Sequence, residues 1–209
     1  MVLYLVSNNL VLDNIVYETD ESLLEKRINR PLSIEGEKNA VKIVKLINAS
    51  VIYSSCYASS LATAKYYASY KKLNINISSF LNDALIGEMD NRSIKTLRYM
   101  QEKDFDFKFR RGESLNEVCT RMNIALKRII KKNGNSDLVV FTHKRAILGY
   151  LLSYLDKGYN LDDRLILSFN DKMIIDEAHH DIDIIKLTFV KDKLVDADVI
   201  ELVENDKWS

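Results

Sequence analysis

The chain has 209 residues, 47% hydrophobic and 29% charged, which excludes a largely disordered protein and suits one compact domain over residues 1–209. Thirty basic side chains balance thirty acidic ones, so no global field directs the chain to nucleic acid or to an anionic membrane. Two cysteines, Cys56 and Cys119, exclude a disulfide framework and a four-cysteine zinc site and point to a reducing, cytoplasmic setting.

Residues 2–6, VLYLV, form a continuous apolar run rich in β-branched and aromatic side chains that stops at Ser7, Asn8 and Asn9. Such a run reads as a strand buried on both faces, with a loop at its carboxyl end. It lacks the basic flank and length of a secretory signal, and no stretch approaches the roughly 20 apolar residues that cross a bilayer. Residues 10–35 are mixed and read as loop-rich. Beyond Ser33, the stretch EGEKNAVKIVKLI places Ala40, Ile43, Val44 and Ile47 on one face of a helix. SVIYSS repeats the first pattern, a short buried strand ending in Ser54 and Ser55, and SSLATAKYYASY follows as a helix. Strand, helix, strand, helix is the grammar of a parallel sheet with right-handed crossovers.

NINIS adds a third strand, residues 92–103 a further helix, and GESLNEVCTRMNIALKRIIKK a long one. Leu115, Val118, Met122, Ala125, Leu126 and Ile129 line one side of that long helix. DLVVFTH supplies the next buried strand and ends at Thr142 and His143, just before the helix RAILGYLLSYL. DIDIIKLTFV and LVDADVIELV, parted by KDK, read as an antiparallel pair at the sheet's edge. The predicted fold is α/β, a three-layer α/β/α arrangement with a mostly parallel central sheet and an antiparallel edge.

Ligands of open α/β sheets bind beyond the carboxyl ends of the strands, where loops converge and helix amino termini face anions. Three loops qualify: Ser7, Asn8 and Asn9; residues 54–60; and residues 142–145. Asp83, in LNDALIGEMD, is a candidate for the rim. His143 is either a pocket histidine or a cap of the following helix. Lys144 and Arg145 either bring anion-binding charge to the pocket or face water. His179 and His180, beside Asp176, Glu177 and Asp181, read as a solvated turn, because adjacent ligands on one loop need a third from elsewhere to close a metal site. No metal or cofactor is expected. Cys56 reads as a small buried filler, and the tyrosines of KYYASYKK as packing and surface contacts.

Taken in order, VLYLVSNN, RPLSIEG, SSCYASSLATA, GESLNEVCTR and VVFTHKRAI carry a resemblance to the histidine phosphatase (phosphoglycerate mutase-like) superfamily. In that family the first strand ends in Arg-His-Gly, followed by D-x-P-L-T-x-x-G, S-S-P-x-x-R-A-x-x-T-A, G-E-S-x-x-x-x-x-x-R and a strand ending in Ser/Thr-His-Gly. The resemblance implies phosphoryl transfer through a phosphohistidine, with two arginines and a second histidine on the equatorial oxygens and an acid for the leaving oxygen.

By the same resemblance the first arginine falls on Ser7, the nucleophilic histidine on Asn8, the glycine on Asn9 and the second clamp arginine on Ser59. His143 matches the second histidine, Asp83 the acid, and Gly112, Glu113 and Ser114 the Gly-Glu-Ser motif. A carboxamide is not a nucleophile, and serine supplies no guanidinium fork for phosphate. The sequence therefore predicts a catalytically degenerate member that binds a small phosphorylated ligand or a protein partner. Two alternatives stand beside it: a rewired phosphomonoester phosphatase with His143 as nucleophile, and a structural or interaction protein, such as a homo-oligomer, with a vestigial pocket.

Overall fold

A computed structural model describes residues 1–7, 10–12, 22–89, 93–178 and 184–202. Strand β1 (Val2–Ser7) is followed by helices α1 (Leu23–Ile28) and α2 (Ile34–Leu46), then β2 (Val51–Ser54), α3 (Ala58–Lys71) and β3 (Ile75–Ile77). A short 3-10 turn at Ser79–Leu81 leads to α4 (Ile94–Lys103), α5 (Leu115–Asn133), β4 (Leu138–Thr142) and α6 (Lys144–Leu151). Strands β5 (Asp156–Tyr159), β6 (Leu165–Phe169), β7 (Lys172–Asp176), β8 (Ile184–Val190) and β9 (Lys193–Ile200) follow.

Six strands form the central sheet in the order β3-β2-β4-β1-β8-β9. The first four run parallel, whereas β8 lies antiparallel to β1 and β9 antiparallel to β8. Alternate residues of the apolar strands serve opposite faces, as a two-residue period requires. Leu3, Leu5, Leu138 and Val140 pack with the apolar sides of α5 and α6, while Tyr4, Val6, Val139 and Phe141 pack with α2 and α3. Burial on both faces explains why the strands read as unbroken apolar runs.

Serine caps start four of the helices. Ser22, Ser33, Ser93 and Ser114 each accept a backbone N–H from the first turn of α1, α2, α4 and α5, and Ser22 and Ser114 form reciprocal capping boxes with Glu25 and Glu117. The predicted stripe of α5, Leu115 to Ile129, is buried in full. Gly149 brings α6 onto α5 at close range, since a Cβ there would stand 2.5 Å from Val118 Cγ1.

Several features depart from the sequence reading. Residues 156–176 form a second, three-stranded antiparallel sheet, β5-β6-β7, whose Leu165, Leu167, Ile174 and Ile175 join the core beside α5 and α6. The helix expected over residues 145–155 stops at Leu151, and the stretch expected to be loop-rich contains α1. Asp176 and Glu177, expected in a solvated turn, are buried, while His179, His180 and Asp181 lie outside the described residues. Cys56 is exposed and not a buried filler. Among the described residues, no helix is long and apolar enough to cross a membrane.

Candidate functional site

Sheet register assembles the site. Ser7 lies opposite Thr142 on the β1–β4 ladder, and Ser54 opposite Phe141 on the β2–β4 ladder, so three strands end side by side. The Ser55 N–H continues the pairing by donating to the Phe141 carbonyl at 2.9 Å. His143 leaves the sheet there as the residue before α6. Its Nε2 is hydrogen-bonded to Ser55 Oγ at 2.9 Å and to Ser60 Oγ at 3.3 Å, and the Tyr57 ring lies 4.5 Å from the imidazole, tilted by 60°. Ser55 Oγ also accepts the Tyr57 N–H at 3.3 Å.

His143 as a residue is 6% exposed. Burial drives its pKa down from 6.5 to about 4, with Asp83 opposing the shift and Arg27 and Arg121 adding to it. His143 is therefore neutral at physiological pH. Burial likewise raises the Tyr57 hydroxyl above its ordinary value.

Each nearby cation has a carboxylate partner. Arg27, from α1, forms an ion pair with Asp83 and donates through Nη1 to the Ala84 carbonyl at 3.3 Å. Arg121 meets Glu113 in a fork, Nε to Oε1 at 2.7 Å and Nη2 to Oε2 at 2.9 Å, and gives Nη1 to the Phe80 and Asn82 carbonyls. Glu113 Oε2 also accepts the Leu85 N–H, and Asn82 Oδ1 accepts the Cys56 N–H. The Gly-Glu-Ser motif thus works locally as a brace: Ser114 caps α5, and Glu113 with Arg121 fixes the segment that carries Asp83.

Helices α3 and α6 differ from the serine-capped ones. They begin at Tyr57 and His143, neither of which makes a side-chain cap hydrogen bond. Their amino ends meet where Ser55 touches His143, directing two positive dipole ends at one region. Ser7 and Ser59, at the positions of the expected arginines, are both buried, and the Ser59 carbonyl accepts the Thr63 hydroxyl at 2.9 Å. Asn8 and Asn9 lie outside the described residues.

Arg145 requires a correction. It was expected to bring anion-binding charge or to face water, and it does neither: buried at the start of α6, it donates to Glu177 Oε2 and to Gln101 Oε1, each at 2.9 Å. Lys144 Nζ stands 3.8 Å from the other Glu177 oxygen. Burial lowers the Arg145 pKa from its ordinary value, and Glu177 opposes that shift. Behind this pair, Glu102 accepts a fork from Arg164 at 2.8 Å on both oxygens.

The structure brings Ser7, Ser55, Ser59, Ser60, Asp83 and His143 to one end of the sheet and adds Arg27 and Tyr57, which the sequence reading did not select. Arg27 had a legible signal, since Ser22 followed three residues later by Glu25 is a capping box that starts a helix. Among the described residues, no group of three or more His, Cys, Asp or Glu is placed to hold a metal ion.

The site thus sits in a three-layer α/β/α fold, with a histidine at the carboxyl end of the fourth strand beside the loop after the second. The chain matches the histidine phosphatase superfamily (branch 1) over residues 17–183 and belongs to that family. The match begins beyond residues 7–9. In fold the chain is similar to a mycobacterial glucosyl-3-phosphoglycerate phosphatase solved with inorganic phosphate, with a TM-score of 0.67, 13% identity and 95% of each chain covered. It is similar also to a variant phosphoserine phosphatase from Entamoeba histolytica in complex with phosphoserine, at a TM-score of 0.62, 16% identity and 93% of each chain. A third similar structure is YhfR of Bacillus stearothermophilus, with a TM-score of 0.56, 17% identity, 82% of this chain and 93% of that one. No curated protein matches the chain.

Proposed function

We propose that this protein keeps the superfamily's fold without its phosphoryl-transfer chemistry and acts by binding a small phosphorylated ligand. One observation carries the reading. His143 is a buried, neutral imidazole whose Nε2 is engaged by Ser55 and Ser60, in a sequence with Asn8, Ser7 and Ser59 where the family has its nucleophile and clamp arginines. A nucleophilic nitrogen must have a free lone pair aimed at phosphorus, and phosphate in flight needs fixed cations around it. Here the nitrogen faces hydroxyls, and of the two cations that could clamp for a His143 nucleophile, Arg145 is committed to Glu177 and Gln101 and Lys144 stands 3.8 Å from the same carboxylate. The ligand class is supported by the fold's occupants elsewhere, inorganic phosphate in one similar structure and phosphoserine in another.

The test is hydrolysis of a generic aryl phosphate by the purified protein and by His143→Ala. We expect both at the buffer rate. Turnover by the native protein that disappears in the variant would establish the rewired phosphatase instead. A complementary gain-of-function test installs Ser7→Arg, Asn8→His and Ser59→Arg together. Phosphatase activity should emerge, and an inactive, folded triple variant counts against the assigned positions.

A further inference from the structure

We infer that Arg27 is the anion contact of this pocket and that Asp83 holds it closed, so that a phosphate group binds by replacing Asp83 on the Arg27 guanidinium. The inference rests on the binding reading above and names the contact that reading lacks. The family-matched arginine positions carry Ser7 and Ser59, which bring no charge. The segment that carries Asp83 is tied to the strand ends beside His143, with the Leu81 carbonyl accepting the Thr142 hydroxyl at 2.6 Å and Asn82 Oδ1 accepting the Cys56 N–H at 2.9 Å, and among the described residues the cations that meet this segment are Arg27 and Arg121. Arg121 is saturated: two of its nitrogens fork onto Glu113 and the third meets two carbonyls.

Arg27 is tied more lightly, by one carboxylate and one carbonyl. Its side chain is 20% exposed and that of Asp83 13%, so solvent and ligand reach the pair, in contrast to the Arg145–Glu177 pair at 7% and 3%. The two partners also come from separate pieces of chain, α1 and the segment after the turn at Ser79–Leu81, and α1 leaves Leu24 exposed. A phosphate dianion offers the guanidinium two charge-assisted bonds in place of the one to Asp83, so the ion pair is exchanged and the cation is not left bare. Asp83 is thus an internal competitor, a carboxylate occupying the fork that a phosphomonoester would take.

Inorganic phosphate is the probe, measured by thermal shift against potassium chloride of equal ionic strength. Asp83→Asn should bind phosphate about tenfold more tightly than the native protein or better, the scale of one charge-assisted contact. Asp83→Ser provides a second removal of the charge should the amide variant fold poorly. Adding Arg27→Gln to either must abolish the gain. Unchanged affinity in a folded Asp83 variant overturns the inference, and so does a gain that survives loss of Arg27. Aryl phosphate turnover is read separately, so activity would remove the binding reading while leaving the Arg27–Asp83 competition measurable.

Discussion

Two polar clusters flank the start of α6 and treat charge in opposite ways. On one side His143, Ser55, Ser60 and Tyr57 form a neutral group in which burial has removed the proton from the imidazole. On the other, Arg145 and Glu177 are buried as ions, fixed by Gln101, with Glu102 and Arg164 paired behind them. Adjacent residues of one chain thus sit in equally dry surroundings with different outcomes. A charge survives burial where a fixed counter-ion and a hydrogen-bonding neighbour meet it, and is given up where only hydroxyls and a ring are offered. The ionic cluster belongs to the scaffold that places His143, and the neutral cluster lies at the carboxyl ends of β2 and β4.

Breaking the ionic side has the largest expected effect. Arg145→Ala leaves buried Glu177 with only the longer 3.8 Å contact to Lys144 and should cost about 3–5 kcal/mol in urea unfolding. A double replacement by Met at Arg145 and Leu at Glu177 should recover most of that, because no lone charge remains. Equal loss in single and double variants would show that packing, and not charge, dominates there.

Acid probes the neutral side. The folded-state pKa of His143, about 4, lies below its ordinary 6.5, so below pH 6.5 the unfolded chain takes up a proton that the folded chain refuses. Stability from this group is full above pH 6.5, falls as pH drops towards about 4, and is level below that. The total is on the order of 3 kcal/mol. His143→Gln should remove that slope from the stability-versus-pH curve, and an unchanged slope would place the titration elsewhere.

Ser55→Ala gives the smallest change, about 2 kcal/mol for the two neutral hydrogen bonds its hydroxyl makes, to the His143 ring and from the Tyr57 N–H. A shifted His143 ring signal in NMR would accompany it, separating loss of this contact from a general loosening.

Much of the scaffold was readable from sequence because strands buried on both faces leave unbroken apolar runs and α5 keeps a clean stripe from Leu115 to Ile129. KDK marked a turn between antiparallel strands, and residues 191 and 192 make it, with both φ values positive at 49° and 63°. The same turn recurs at Asn170 and Asp171, at 49° and 63°, between β6 and β7. Its Asn-Asp dipeptide carried the signal, but the flanking strands are short and partly exposed, which hides their alternation. At the site, Ser7, Ser55, Ser60 and His143 follow from strand ends, whereas the commitment of Arg145 to Glu177 depends on a fold-level contact between α6 and the end of β7. No local pattern encodes such a meeting.

The placement of β1 has a kinetic consequence. Leu3 pairs with Leu138 on one side and Leu187 on the other, so both neighbours of this strand come from far along the chain. Long loops must close before either ladder yields any return, which makes the middle of the sheet slow to zip. In pulse-labelled refolding, the amides of residues 3–6 should gain protection after those of α5 and α6, whose contacts are more local.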